Sequence, residues 1–455
     1  MQKTILENII FNKLDWIKKQ KIKMPLDNFK NKILYSKRKF KKALIKDKPS
    51  FILEIKKHSP SKGLLRKNFD IIRIAKTYEK YASVISVVTD TEYFKGHFSY
   101  LQKVSSLTTK PILCKDFIID EYQIYLASYF KADAILLMLS ILNDNQYLFL
   151  RKIAYNLNIE VLTEISNQKE LKRAIKLKSN IIGINNRNLH DLSIDLDRTR
   201  KLSKLIKDKN VIIISESGIN KYSQVRELSS MVHGFLIGSH LMHQDNLYTA
   251  IRKLIMGENK VCGLKYKEDA TMCYNYGAIY GGLIFAENSI RKIKVKEALL
   301  ITEYNNLKYV GVFYNQDINL IKYLSEKLNL YAIQLHGNEN QEYIFKLRKN
   351  ISKKVYLWKA IGIKNVIPMF NLKHIDLNIF DNIKGGSGKS FDWSLLKDIK
   401  TKKIILAGGL NINNCVKASK LGFLGLDFNS GVESTIGKKD HKKVKDVFDS
   451  LRYYF

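Results

Sequence analysis

From Phe51 onward the chain alternates short apolar runs with longer charged, amphipathic stretches. The first runs are FILEIKK, SVISVVTD, PILCKDF, ADAILLML, EVLTEIS, IIGINNR, VIIISES and GFLIGS, ending at Ser239. A second set follows: KVCGL, AIYGGLIF, KYVGVFY, AIQLHG, VYLWKAIG, IFDN, IILAGGL and LGLDFNS. Between them lie helical patterns such as IIRIAKTYEKYA and LKRAIKLK. Strand-then-helix alternation predicts a parallel sheet with crossover helices. Eight such units in about 200 residues, twice over, is the count of a (β/α)8 barrel. Doubly wound open sheets share the alternation but seldom give eight units in both halves. The pattern therefore predicts an α/β chain of two tandem (β/α)8 TIM barrels.

The boundary falls in LIMGENKVCG, where Gly257 can stop a helix and Lys260 begins a strand. This gives a first barrel over residues 1–256 and a second over 257–455. Residues 1–50 precede the first strand and read as a helical extension able to cover part of the barrel.

Composition changes this picture little. The 455 residues exceed what one core usually holds, and 45% are apolar. The longest apolar runs fall far short of a bilayer span of about 20 residues, and the N-terminus lacks the pattern of a signal peptide. Cys114, Cys262, Cys273 and Cys415 are scattered and form no CxxC, which suits a reducing compartment. No membrane partner and a cytosolic location are expected. The formal charge of +35 raises nucleic-acid binding, but lysines are spread over the whole length and no nucleic-acid motif accompanies them. The densest basic run, KRKFKKALIKDK at 37–48, reads as a solvated helix face.

Candidate chemistry gathers where a barrel places it, at the C-terminal strand ends. Side chains alternate along a strand, so Glu54 and Lys56 share a face. Lys115 ends the third run, Glu164 the fifth, Asn185 and Arg187 the sixth, and Glu216 the seventh. Ser217-Gly218 and Gly238-Ser239 close the last two runs with small residues, whose N–H groups can approach a phosphate. Glu54 with Lys56 could equally be a structural ion pair, and SESG alone is ordinary turn chemistry. Convergence of lysines, carboxylates, an Asn/Arg pair and a phosphate cradle on one rim favours catalysis.

LEIKKHSPSKG, LCKDFIIDEYQIY, LTEIS, GINNRNL and SESGI resemble the motif series of indole-3-glycerol-phosphate synthase. VCGLK, YGGLIF, QLHG, GGSGKSFDW, LAGGL and LDFNSGVES resemble phosphoribosylanthranilate isomerase, and the order is similar to the fused bifunctional tryptophan-pathway enzymes. The first resemblance implies Lys115 as principal acid and Glu164 as base. It sets Lys56 near the substrate carboxylate, held by Glu54. Asn185 and Glu216 would orient hydroxyls, Arg187 would supply positive charge, and Ser59, Ser217, Gly218, Gly238 and Ser239 would surround the phosphate. His58 lies outside the motif's essential letters. The second resemblance implies Cys262 as base, Asp381 as acid and Arg291 as the grip on the anthranilate carboxylate, with Ile290 where the family often has proline. Gly386, Ser387, Gly388, Gly408, Gly409, Asn429, Ser430 and Gly431 would cradle its phosphate.

The partners so implied are phosphorylated, anthranilate-derived small molecules, with no nucleic acid, and a monomer is expected. Neither reaction needs redox chemistry or a Lewis acid, so no cofactor and no metal are expected. A histidine-pathway barrel isomerase would carry aspartates for both acid and base, against Cys262. A basic nucleic-acid-binding scaffold derived from an inactive barrel enzyme is the remaining alternative, and it predicts lost catalytic letters.

Overall fold

A computed structural model describes residues 4–46, 49–188, 191–303, 307–368, 370–383, 390–399 and 403–453. Two closed barrels of eight parallel strands account for all sixteen apolar runs. In the first barrel the strands are β1 (Ser50–Ile55), β2 (Val84–Val88), β3 (Ile112–Lys115), β4 (Ala134–Met138), β5 (Glu160–Ile165), β6 (Ile181–Asn185), β7 (Ile212–Glu216) and β8 (Gly234–Ile237). β8 returns to pair with β1, Ser50 opposite Gly234, and closes the ring. In the second they are β9 (Lys260–Val261), β10 (Tyr280–Ile284), β11 (Lys308–Phe313), β12 (Ala332–Leu335), β13 (Tyr356–Ile363), β14 (Leu377–Asn382), β15 (Ile404–Leu406) and β16 (Gly425–Phe428). There β16 closes on β9, Lys260 opposite Asp427. Strands covered on both faces read as continuous apolar runs, which is why the strands were visible without a period-2 signal.

The chain divides into two compact units, Met1–Asn220 with Leu228–Ile251, and Lys221–Glu227 with Arg252–Phe455. Among the described residues no helix is long and apolar enough to cross a membrane.

The N-terminal extension has two jobs, one at each end of the first barrel. Helix α1 (Ile5–Lys23) starts at Thr4, whose hydroxyl accepts from the Glu7 N–H while the Glu7 carboxylate accepts from the Thr4 N–H, a capping box. Its buried residues Leu6, Ile9, Lys13 and Ile17 recur at helical spacing and form one face. The lysine in that face would be costly unpaired. Its Nζ lies 2.7 Å from Asp90, just past β2, and 2.7 Å from Asp116, just past β3. Helix α2 (Phe40–Lys46) seals the opposite end. Phe40 and Leu44 are fully buried, in one cluster with Ile52, Val84, Leu113, Ala134, Leu162, Ile181, Ile212 and Leu236.

This corrects the reading of residues 37–48 as a solvated helix face. Lys37 and Lys39 before the helix, and Lys42 and Lys46 within it, do face water, yet the other side of its two turns plugs the barrel. Two buried residues, Phe40 and Leu44, among so many lysines give little periodic signal, so the plug was hidden by composition.

Candidate active sites

Alternation along the strands decides which side chains reach each interior. In the first barrel Ile52, Leu113, Leu162 and Ile214 belong to the interior cluster. Two residues further along each strand stand Glu54, Lys115, Glu164 and Glu216, on the same face and at the mouth. These four, with Lys56, Asn185 and Arg187, line an open cavity of about 190 Å³.

Lys115 Nζ lies 3.2 Å from Glu164 Oε2 and 3.8 Å from Glu216 Oε2. Asn185 donates to the other Glu164 oxygen, Oε1, at 3.1 Å, so both oxygens of that carboxylate are held. Lys56 Nζ lies 2.5 Å from Glu54 Oε1. The Arg187 N–H donates to Asn185 Oδ1 at 2.9 Å, and its guanidinium donates to the Leu192 carbonyl at 2.8 Å. Two glycines make room. A methyl group on Gly183 would collide with the Glu216 carboxylate, and one on Gly238 with that of Glu54.

Burial and charge then sort the ionisation states. Burial disfavours the Lys115 cation, but Glu164, Glu216 and Glu54 more than offset it and the ammonium is held well above its usual range. Glu216 is pushed up to about 8, by burial first and the Glu164 carboxylate second, with Lys115 opposing. It is therefore largely neutral at pH 7, able to donate a hydrogen bond. Glu54 is also buried, yet Lys56, Lys115 and Arg187 pull it below the usual carboxylate range. Glu54 and Glu216, buried in one mouth, thus differ in state because their neighbours differ.

Ser217 and Gly218, at φ 64° and 84°, and Gly238-Ser239 line the same cavity. Successive residues of this kind can shape an anion-binding concavity. Ser59 is buried, and its hydroxyl is unpartnered, in a pocket shared with Lys56 and Ser239. His58 hydrogen-bonds the Tyr93 carbonyl at 2.6 Å and does not line the large cavity.

Lys62, Asp90, Phe94, Asp116, Phe117 and His240 also line it and were not singled out from the sequence. Asp90 and Asp116 were visible in VVTD and CKDF, but nothing in the sequence shows that Lys13 would tie both to α1.

In the second barrel the same alternation puts Lys260 and Cys262 on one face. Both lie over Gly282, where an added Cβ would stand 2.6 Å from Cys262 Sγ and 3.0 Å from Lys260 Cε. Lys260 is wholly buried and its Nζ lies 2.7 Å from Asp427 Oδ2. Cys262 is 6% exposed. Burial pushes its thiol up, against the Lys260 ammonium that pulls it down. Asp381, on β14, is pushed up to about 6 by burial, although the Asn382 N–H donates to it at 2.7 Å. His336 Nε2 stands 3.8 Å from Asp381, but burial and the Lys260 and Lys359 charges hold the ring down at about 4, so it is neutral at pH 7. Lys260, His336 and Asp427 were missed from the sequence. Applying to KVCGL the rule applied to LEIKK would have paired Lys260 with Cys262.

The raised Asp381 carries a stability consequence. Unfolded aspartate releases its proton near 3.9, whereas folded Asp381 holds it to about 6. The folded state binds more protons in between, so stability falls as pH climbs through that window and the deficit is constant above it. About two pH units correspond to about 3 kcal/mol at most. Asp381→Asn buries no charge. It is expected to raise the unfolding temperature at neutral pH and to change it little at about pH 4. Equal gains at both pH values would show that burial does not penalise this carboxylate.

Arg291, 8% exposed, is ion-paired with Glu433 at 2.8 Å. Gly408 and Gly409, at φ 90° and 60°, follow β15, and Asn429, Ser430 and Gly431 follow β16. The two loops touch: a methyl on Gly431 would collide with the Leu410 carbonyl. Gly386, Ser387 and Gly388 lie outside the described residues. Among the described residues no group of three or more His, Cys, Asp or Glu could hold a metal ion.

Residues 6–254 match the model of the indole-3-glycerol phosphate synthase family, and residues 259–450 that of N-(5'phosphoribosyl)anthranilate (PRA) isomerase. The chain belongs to both families, one in each half. It is 57% identical over 454 residues to the tryptophan biosynthesis protein TrpCF of Buchnera aphidicola subsp. Diuraphis noxia, covering 100% of both chains. It is 51% identical to the TrpCF of Salmonella typhi, covering 99% of this chain and 100% of that one. The bifunctional enzyme is thereby favoured over the inactive, nucleic-acid-binding scaffold.

Proposed function

We propose that the second barrel isomerises N-(5-phosphoribosyl)anthranilate to 1-(o-carboxyphenylamino)-1-deoxyribulose 5-phosphate. The first barrel then closes that product to indole-3-glycerol phosphate with loss of one carbon dioxide and one water. The observation that carries the synthase half is Lys115 held between Glu164 and Glu216 in the open mouth of the barrel. Lys115 keeps its proton firmly. It polarises the ketone oxygen as a charged donor and transfers the proton only as that oxygen gains negative charge. Glu164 takes the ring-nitrogen proton, and Asn185 fixes its orientation. Lys56, charge-paired to Glu54, meets the substrate carboxylate, and Arg187 adds positive charge beside it. Glu216, neutral, donates to a substrate hydroxyl. Ser59, Ser217, Gly218, Gly238 and Ser239 form the phosphate cradle.

In the isomerase, Asp381 protonates the furanose oxygen and Cys262 removes the C2′ proton, so acid and base serve one proton-transfer sequence. A thiolate is a competent base; burial raises the Cys262 thiol, and the Lys260 ammonium opposes that rise. Arg291 grips the anthranilate carboxylate, a task suited to a planar guanidinium. Gly408, Gly409, Asn429, Ser430 and Gly431, together with residues 386–388, hold the phosphate. The protein acts as a monomer without cofactor in the cytosol, a location supported by four free, buried cysteines.

The test is to express residues 1–256 and 257–455 separately. Each has a core of its own, as an independently folding domain requires. The first half is expected to retain synthase turnover and the second isomerase turnover. Halves that fold but stay inert until mixed would sink the assignment of one complete site to each.

A further inference from the structure

The assigned carboxylate grip, Arg291, is already holding a carboxylate of its own chain. Its Nε donates to Glu433 Oε1 at 2.9 Å and to Oε2 at 3.1 Å, and Nη2 donates to Oε2 at 2.8 Å. Glu433 thus takes the side-on fork of the guanidinium. The end-on fork, Nη1 with the second Nη2 hydrogen, is not used by Glu433. The Glu433 carboxylate is itself fixed, accepting from Lys439 Nζ at 2.9 Å and from the Gly437 N–H at 3.2 Å. Lys439 is 2% exposed and also donates to Asn429 Oδ1 at 3.0 Å. The stem of Arg291 lies over Gly263, next to Cys262: a Cβ there would stand 3.2 Å from Arg291 Cδ and 2.9 Å from Asn429 Oδ1.

An arginine on a loop has several free torsions, and a bidentate contact fixes the plane of its guanidinium. We propose that Glu433 is a positioning residue for substrate specificity, holding Arg291 by its side-on fork so that the end-on fork meets the carboxylate of the anthranilate ring. The same carboxylate, through Lys439 and Asn429, ties that fork to the loop after β16. The distance between the carboxylate grip and the phosphate loop is thereby set before substrate arrives, which lowers the ordering cost of binding. This inference rests on the reading of Arg291 as the grip.

The experiment measures inhibition of isomerase turnover by two non-reacting analogues, so that only this barrel's site is read. One is reduced 1-(o-carboxyphenylamino)-1-deoxyribulose 5-phosphate; the other is its phenylamino counterpart without the carboxylate. The unaltered protein is expected to prefer the first, and Arg291→Met to erase that preference. Glu433→Gln is expected to weaken the first by about tenfold, the order of one hydrogen bond to a charged group, and to leave the second unchanged. Synthase turnover of the same samples reports folding. A preference that survives Arg291→Met overturns the reading of Arg291 itself. A preference erased by Arg291→Met but untouched by Glu433→Gln overturns the positioning role alone. Equal weakening of both analogues would mark Glu433 as structural, again against the proposal. Should Glu433→Gln fail to fold, Glu433→Asp is read in the same way. Failure of both to fold also rejects it.

Discussion

Cys262→Ala abolishes isomerisation while synthase turnover in the same sample stays at the level of the unaltered protein: this is the largest effect expected anywhere in the chain. Removing a general base typically costs about 10²–10⁴ in rate. Lys260 is a cation tied to Asp427, and neutral His336 stands 3.8 Å from Asp381. The ionisation pattern sharpens the expectation. Asp381 is protonated below about 6, while the thiol of Cys262 sits above its ordinary value. The reactive combination, thiolate with neutral acid, is therefore the minor protonation state at every pH. Asp381→Asn removes the acid half and is expected to abolish the reaction as well. The double variant should be hardly worse than either single one, because groups serving one sequence act as a unit. Steady-state isomerase kinetics on all three decide it. Substantial turnover in folded Cys262→Ala would leave the cysteine a packed hydrophobe and another group as the base.

The second large effect belongs to Lys115. Lys115→Ala is expected to lower synthase turnover by at least about 10²-fold, with a smaller change in substrate binding because the phosphate cradle is untouched. More is lost than an acid. The ammonium stands between Glu164 and Glu216 and pulls the latter's proton affinity down. Without it, Glu216 should titrate above 8, and two buried carboxyl groups face each other with no cation between them. Some stability should be lost with it, as when one partner of a buried pair is removed. Isomerase turnover should be unchanged and serves as the folding control. A synthase rate near that of the unaltered protein would remove Lys115 from the chemistry.

Much of this arrangement was legible in the sequence, because the fold turns alternation into direction. Every apolar run became a barrel strand, and the polar residue ending a run reached the mouth whenever it stood an even number of places from an interior residue. Glu54, Lys56, Lys115, Glu164, Asn185 and Glu216 share one cavity for that reason. What stayed hidden depends on contacts between distant segments. That Lys13 meets Asp90 and Asp116, or that Glu433 occupies Arg291, needs two loops brought together by the closed ring. Phe40 and Leu44 were masked by the lysines around them. Protonation states were equally out of reach, since Glu54 and Glu216 are the same residue type in the same mouth and burial with unequal neighbours sets them apart.

Gly183, Gly238 and Gly282 lend themselves to a wider conclusion. Each is an absence beneath a group assigned to the chemistry: Glu216, Glu54 and Cys262 occupy the volume that a methyl would fill. A relative could keep every acid and base of this chain and still be inert through one alanine at such a place. Inspection of the reactive letters alone would pass that relative as an enzyme. On these assignments an active barrel is a set of pairs, a reactive side chain and the hollow opposite it, and a transplant of the first without the second is expected to carry over a spelling and not an activity.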